Sequence, residues 1–497
     1  MPAIRSSFRT AFRTLQSALN IFHSAFRILH PAIVSCCLLL VGCGGTVPVT
    51  SNEPAALEPL EVHADADWIR DRAGRVVLLR GANYSGLEFG NFLGNVHGPE
   101  ESDFAQMASW GFNIIRLPIA WSYIEPQPNQ FTDQYLIEQV DPVVGFAARH
   151  GILVILEMHQ YLWSPCLGGN GAPAWVCDGH TYPMDQNGVL QAACDFFQGG
   201  TAADSRSLMD HFVEAWEVVA RHYAGDARIA GFDFFNEPTA YSCFTIGPFE
   251  RRVLNPFYRR IRAAVAAVGA QQTFFFCPSI TRNVGLPTLI EPMGPNVVYA
   301  PHLYTQTGGS PDLQYNGDAS TITNDYALAL TEAGRLGGPL FVGEFGGVTT
   351  VAGGFLASTT EFLRDSLAEQ DRRLVGSAVW AYFPSDNGFS VIDAEGREKG
   401  DLVNILARPY ARRIAGIPTA MRFDLESKEF TLSFRDDDAG RPPDPTEIFV
   451  PAARHYPNGF SVDVSPGDRW EFDAADQRVR LFRGSMKTHS LRIMPIS

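Results

Sequence analysis

The stretch Gly231-Phe232-Asp233-Phe234-Phe235-Asn236-Glu237-Pro238 decides the fold. It is a short, largely aromatic run that ends in two polar residues and a proline. A run of this length, bounded in this way, reads as a buried strand giving way to a loop. Seven further apolar runs share the form, at residues 76–81, 114–117, 153–158, 273–277, 297–301, 340–343 and 377–380. Between them lie segments with helical periodicity, among them 101–110, 134–150, 205–223, 255–268 and 354–369. Eight strands alternating with helices predict an α/β protein, a (β/α)8 TIM barrel spanning residues 67–407.

In such a barrel the loops at the C-terminal ends of the strands form the open face, so chemistry gathers there. The polar residues fall at those ends: Arg116 on the second strand, His159 after the third, Asn236 and Glu237 after the fourth, His302 and Tyr304 after the sixth, Glu344 after the seventh and Trp380 on the eighth. Packing alone does not produce that distribution. Taken singly, each motif has a plainer reading. Asn236-Glu237-Pro238 would suit a helix N-terminus, where Glu complements the dipole and Pro the first turn, and Gly343-Glu344-Phe345-Gly346 would suit a turn.

Further out, the pattern changes past Arg408. Helical periodicity disappears, and short alternating runs such as Phe430, Leu432, Phe434 and Val479, Leu481 predict a small antiparallel β-sandwich over 408–497. The junction has no long Gly/Ser linker, which favours an appendage packed on the barrel over an independent module. Residues 68–75 read as a hairpin closing the barrel bottom. Four arginines, at 5, 9, 13 and 27, precede the apolar run 32–41, which ends at Leu40-Val41-Gly42-Cys43. That run is too short to span a bilayer. It resembles a bacterial lipoprotein signal, 1–42, cleaved to leave Cys43 lipidated; a plain export signal or an early start codon is the alternative. Residues 43–66 read as a flexible tether, and the expected location is the bacterial cell envelope.

The chain carries a formal charge of −15 at pH 7 and becomes more acidic once the signal is removed. That argues against nucleic acid and against anionic membrane surfaces as direct partners, and nothing indicates an obligate protein partner. Five cysteines lie in the exported body. Cys166 and Cys177 could bridge, as could Cys194 and Cys243, while Cys277 sits in an apolar run as a core thiol. No spacing suggests a metal site, and no cofactor is called for.

Phe234-Phe235-Asn236-Glu237-Pro238 together with Val342-Gly343-Glu344-Phe345-Gly346 resembles glycoside hydrolase family 5. Arg116, His159, His302, Tyr304 and Trp380 occupy further positions of that pattern. The resemblance implies Glu237 as acid/base and Glu344 as nucleophile of a retaining β-glycosidase. The chemistry agrees, because retention requires two carboxyls about 5 to 5.5 Å apart across the sugar. Arg116 and Tyr304 would hold Glu344 ionised. Asn236 would bond the 2-hydroxyl, His159 and His302 would bond hydroxyls or orient the acids, and Trp380 would form a sugar platform.

A narrower resemblance is to endoglycoceramidases and related glycolipid hydrolases. It rests on Met158-His159-Gln160 with the loop 169–175, on Ala300-Pro301-His302-Leu303-Tyr304, and on the junction 408–418. Two departures leave the glycan open: Tyr161 stands where that group has an acid, and the loop 83–89 lacks a lysine. A glycolipid substrate implies an apolar slot, for which Leu87, Phe89, Phe92, Leu93, Leu162, Trp163, Phe383 and Phe389 are candidates, unless they serve loop packing. The expected partner is a glycolipid or β-glycan substrate. Alternatives are a β-glucanase, a steryl β-glucosidase or, from another class, a catalytically inactive carbohydrate-binding lipoprotein. Two intact carboxylates in one cleft count against the last.

Overall fold

The computed structural model describes residues 60–62, 67–89, 98–240, 242–305, 314–438 and 440–496. The expected signal 1–42, Cys43 and most of the tether 43–66 therefore lie outside the described residues.

Eight parallel strands form the barrel: β1 (Arg80–Tyr84), β2 (Ile114–Ile119), β3 (Leu153–Met158), β4 (Ile229–Asp233), β5 (Thr273–Phe276), β6 (Val297–Tyr299), β7 (Phe341–Phe345) and β8 (Gly376–Tyr382). They pair in the order β7-β8-β1-β2-β3-β4-β5-β6, and a parallel bridge from Tyr299 to Leu340 closes the ring. Every strand residue is buried except Trp380, which is half-buried. Burial on both faces is why these strands read as continuous apolar runs and not as alternation. Inward-pointing Ile114, Ile155, Ala230, Phe275, Val298, Phe341 and Ala378 fill the interior. Outward-pointing residues meet the helices, of which Leu208–His222, Asn255–Ala267, Ala319–Leu336 and Phe355–Arg373 are the longest.

The first strand departs from expectation. The run 76–81 is not one barrel strand, because its residues alternate between two cores. Val76 and Leu78 face the C-terminal domain, while Val77 and Leu79 face the barrel interior. Val76–Val77 pairs antiparallel with Tyr410–Ile414, and the barrel strand begins at Arg80. Val76–Val77 also forms the expected hairpin with Ile69–Asp71, and Ile69 and Val77 plug the bottom of the barrel. The tether reading is also corrected at its end: Leu60–Val62 is a strand, since Ile69–Asp71 offers it a free edge on which to pair.

The C-terminal region is two antiparallel sheets. One holds Ile417–Phe423, Phe430–Arg435, Thr488–Pro495 and Phe460–Val464; the other joins Tyr410–Ile414, Thr446–Phe449, Arg478–Phe482 and Arg469–Asp473 to the N-terminal hairpin. The sandwich is thus completed by residues from before the barrel. Its seat on the barrel is tight. Tyr410 donates its hydroxyl to the Gly111 carbonyl at 2.7 Å, and Gly111, at φ +87°, lies so close to the Phe449 ring that no side chain fits there. Cys166 bridges Cys177 and Cys194 bridges Cys243, while Cys277 is free and buried.

Candidate active site

The eight residues singled out at the strand ends converge on one face of the barrel. Glu344 lies on β7 and Glu237 follows β4, in a left-handed backbone conformation at φ +45°. One oxygen from each carboxyl and one nitrogen of His302 lie within 4.8 Å of one another. The two acids are held differently. Glu344 is almost closed to solvent: Oε1 accepts from Arg116 Nη1 at 2.7 Å and Oε2 from the Tyr304 hydroxyl at 2.8 Å. Glu237 is the more open of the two, with a fifth of its side chain accessible. Its Oε1 faces His302 Nδ1 at 2.8 Å.

Arg116 is fully buried and organises the floor. Besides Glu344 it reaches Asp233 Oδ2 through Nε at 3.0 Å, Asn83 Oδ1 through Nη1 at 3.0 Å, Asn236 Oδ1 through Nη2 at 3.1 Å and Glu157 Oε1 at 3.5 Å. The guanidinium fork suits this, presenting five donors in a fixed plane. Asn236 is fixed a second time, since its Nδ2 donates to the Gln160 carbonyl while Gln160 Nε2 donates to the Asn236 carbonyl, both at 3.1 Å. His159 Nδ1 lies 2.9 Å from Glu157 Oε2, and its ring stacks on Trp380 with centroids 5.5 Å apart and planes 9° from parallel. His159 is buried and Trp380 half-buried, so the indole is the more open ring of the pair.

Burial pushes both Glu237 and Glu344 above the ordinary carboxyl range, opposed by the Asn283 hydrogen bond at Glu237 and by the Arg116 guanidinium at Glu344. Burial also drives His302 down to about 3, so its ring is neutral at any working pH. Glu157 rises to about 8 and Asp233 to about 6, both through burial, with Arg116 opposing. Burial opposes the charge of Arg116, but Glu157, Asp233 and Glu344 outweigh it and keep the guanidinium protonated.

Glu237, His302 and Glu344 are the one set of donors among the described residues grouped closely enough to hold a metal ion. A guanidinium 2.7 Å from one of those donors makes the position unfavourable for a cation. Four functional neighbours were not anticipated from the sequence. Asn83 braces Arg116 and donates to the Gly343 carbonyl at 3.0 Å. Glu157 and Asp233 are acids inside otherwise apolar strands, a signal that was available. Asn283, on a short 3-10 turn, carries no signal at all.

The apolar slot is only partly supported. Leu87, Trp163 and Phe389 are buried and serve packing, with Trp163 against Phe196 and Phe235 and Phe389 edge-on to Tyr304. Phe89, Leu162 and Phe383 are half-buried, and Phe92 and Leu93 lie outside the described residues.

Paired carboxyls at the open face of a (β/α)8 barrel, one clamped by Arg and Tyr and the other partly open to solvent, define an enzyme that cleaves glycosidic bonds. The chain belongs to glycoside hydrolase family 5: the family model described as cellulase (glycosyl hydrolase family 5) matches residues 71–382, and that of the family 5 C-terminal domain matches 408–493. Endoglycoceramidase I of Rhodococcus hoagii (strain 103S) is 28% identical over 437 residues, 82% of either chain. The structure of endo-glycoceramidase II from Rhodococcus sp. as its lactosyl-enzyme intermediate is 26% identical with a TM-score of 0.73, covering 87% of this chain and all of that one. Cryptococcus neoformans sterylglucosidase 1, at 15% identity and a TM-score of 0.71 over 88% of this chain and 97% of that one, shares the fold.

Proposed function

We propose that this chain is a retaining β-glycosidase that hydrolyses the bond between a glycan and a lipid aglycone, with Glu344 as nucleophile and Glu237 as acid/base. The observation that carries the reading is that one oxygen of Glu237 and one of Glu344 lie within 4.8 Å of each other. An inverting enzyme needs about 6.5–9.5 Å to admit a water between them. The unequal clamping assigns the roles. Glu344 receives a cation on one oxygen and a hydroxyl on the other, which favours its ionised form and aims it at the anomeric carbon. Glu237 is the more open of the two and lacks a cationic partner within hydrogen-bond reach, which suits an acid that donates to the departing oxygen and then deprotonates water.

In the first step Glu344 attacks the anomeric carbon while Glu237 protonates the aglycone oxygen, and a glycosyl-enzyme ester forms. In the second, Glu237 takes a proton from water, which releases the glycan with its configuration retained. Asn236, held by Arg116 and Gln160, presents its remaining amide hydrogen to the sugar, and Trp380, backed by His159, supports the ring. His302, neutral, donates from Nδ1 to Glu237.

The lipid aglycone is supported by the relatives. Endoglycoceramidases recur among them, including a ganglioside GM3 complex of the Rhodococcus sp. enzyme at 25% identity and a TM-score of 0.73. We propose also that residues 1–42 direct export and that Cys43 carries a lipid anchor holding the enzyme at the cell envelope beside its substrate.

A product assay tests the reading. Protein beginning near Ser51, given lactosylceramide, glucosylceramide, a steryl glucoside and a β-glucan, is expected to release intact lactose and ceramide. Glucose from glucosylceramide or the steryl glucoside alone would mean a closed glycan pocket, and oligosaccharides from the glucan alone would overturn the lipid aglycone. Mass spectrometry of the full chain, expressed with its signal, is expected to show acylation at Cys43; an unmodified thiol there would exclude the anchor.

A further inference from the structure

The acid/base carboxyl is gripped at one oxygen only. Glu237 Oε1 lies 2.5 Å from Asn283 Nδ2 as well as 2.8 Å from His302 Nδ1. Among the described residues no side chain bonds Oε2. An amide nitrogen can only donate, and a neutral imidazole donates from one nitrogen; Nε2 of His302 is buried with no partner among the described residues, which assigns the ring's hydrogen to Nδ1. Two donors converging on Oε1 make it the carbonyl-like oxygen of the protonated acid, which leaves the proton on Oε2.

The placement of Asn283 is imposed from both sides. It lies on the turn Ile280–Val284, whose first residue donates its backbone N–H to the Pro238 carbonyl at 3.1 Å, one residue past the acid. Its neighbour Arg282 is fully buried. Nε of Arg282 reaches Glu332 at 2.8 Å, Nη1 reaches the Asp325 carboxyl at 2.5 Å and Nη2 reaches the Asp325 carbonyl at 3.1 Å. Gly285, left-handed at φ +80°, ends the turn. The turn is thus fastened to the helix Ala319–Leu336 behind it and to the Glu237 loop in front.

We propose that Asn283 is a positioning residue for the acid/base step: by donating to Oε1 it turns the protonated Oε2 toward the glycosidic oxygen. The proposal rests on the assignment of Glu237 as acid/base. A donor to a carboxylate also favours its charged form, so removing Asn283 raises the pH at which Glu237 loses its proton.

The test uses aryl β-glycosides with poor and with activated leaving groups, since only the former need the acid. Asn283→Ala is expected to lower kcat/KM about 10- to 100-fold on the poor leaving group, the range over which general-acid assistance acts. Activity on a dinitrophenyl glycoside should stay within about threefold, because that step draws little on the acid. The alkaline limb of the pH profile should move up by about 0.5 to 1 pH unit. Asn283→Asp keeps the shape but places a second carboxyl beside Glu237, so a larger upward shift is expected even if the alanine variant packs poorly. An unmoved or lowered limb in the Asp variant, or equal losses on both substrates, would overturn the proposal. If Glu344→Gln abolished turnover while Glu237→Ala spared the poor leaving group, the acid/base assignment itself would fall, and the proposal with it.

Discussion

Two buried charge clusters sit at opposite ends of the barrel, and their imbalances have opposite sign. On the open face one guanidinium, Arg116, meets three carboxyls: Glu344 at 2.7 Å, Asp233 at 3.0 Å and Glu157 at 3.5 Å. At the closed end one carboxyl, Asp371, meets two guanidiniums, Arg80 at 2.5 Å and Arg408 at 2.9 Å. Excess carboxyls can relieve their repulsion by taking up protons. Excess guanidiniums cannot, because Arg does not deprotonate in proteins. The cluster that carries the proposed nucleophile is built from the titratable type, and the cluster that joins the two parts of the chain is built from the other. The permanent positive charge below is met by aromatic faces, with Arg80 over Tyr410 and Arg408 over Phe423, each 5.1 Å from the ring centre. Both rings belong to the C-terminal domain, so this cluster also fastens the two parts of the chain together.

The largest effect expected of any single change falls on the open face. Glu344→Gln keeps the shape of the carboxyl and removes the proposed nucleophile. Turnover on any β-glycoside should fall by at least about four orders of magnitude, as for other lost nucleophiles. Thermal stability should hold or rise, since Arg116 retains Glu157 and Asp233. A variant with near-normal turnover would break the site assignment.

At the closed end the expectation reverses. Asp371→Asn leaves two buried guanidiniums facing a neutral amide, and breaking a buried pair in this way costs about 3–5 kcal/mol. Denaturant unfolding should show that loss, while kcat on an aryl glycoside at 25 °C changes less than about threefold, because nothing in the cluster touches Glu237 or Glu344. A large loss of kcat with stability preserved would show that the two clusters are coupled through β1, and the separation drawn above would fail.

The two clusters were unequally legible in the sequence. Seven of the eight strands stood out as buried runs, and Glu237 and Glu344 followed from their places at the ends of β4 and β7, because buried parallel strands leave polar residues only where the chain emerges. The first strand was misplaced for a related reason: residues 76–79 are apolar throughout, and one sequence cannot say that alternate side chains enter different cores. Asp233 and Glu157 interrupt apolar strands and could have been read as site residues, since a buried acid requires a partner. Asn283 and the Arg80–Asp371–Arg408 cluster could not. Their partners lie 46 and up to 291 residues away along the chain, and no local pattern links them.

The finest test of the comparison is the protonation of Glu157. Burial holds its carboxyl up at about 8 against an ordinary value of 4.5. Between those two pH values the folded protein keeps a proton that the unfolded chain has already lost. The stabilisation is therefore fully present below about pH 4.5 and falls away as pH rises to about 8, at up to roughly 1.4 kcal/mol per pH unit. Glu157→Gln imitates the protonated acid and cannot titrate, so the slope of stability against pH should flatten by about one proton over that window. Turnover near pH 6 should stay within about tenfold, because the amide can still bond His159 Nδ1. An unchanged slope would mean that Glu157 is ionised in the fold. Arg116 would then be balancing three charged carboxylates, and the excess on the open face would be as permanent as the one below.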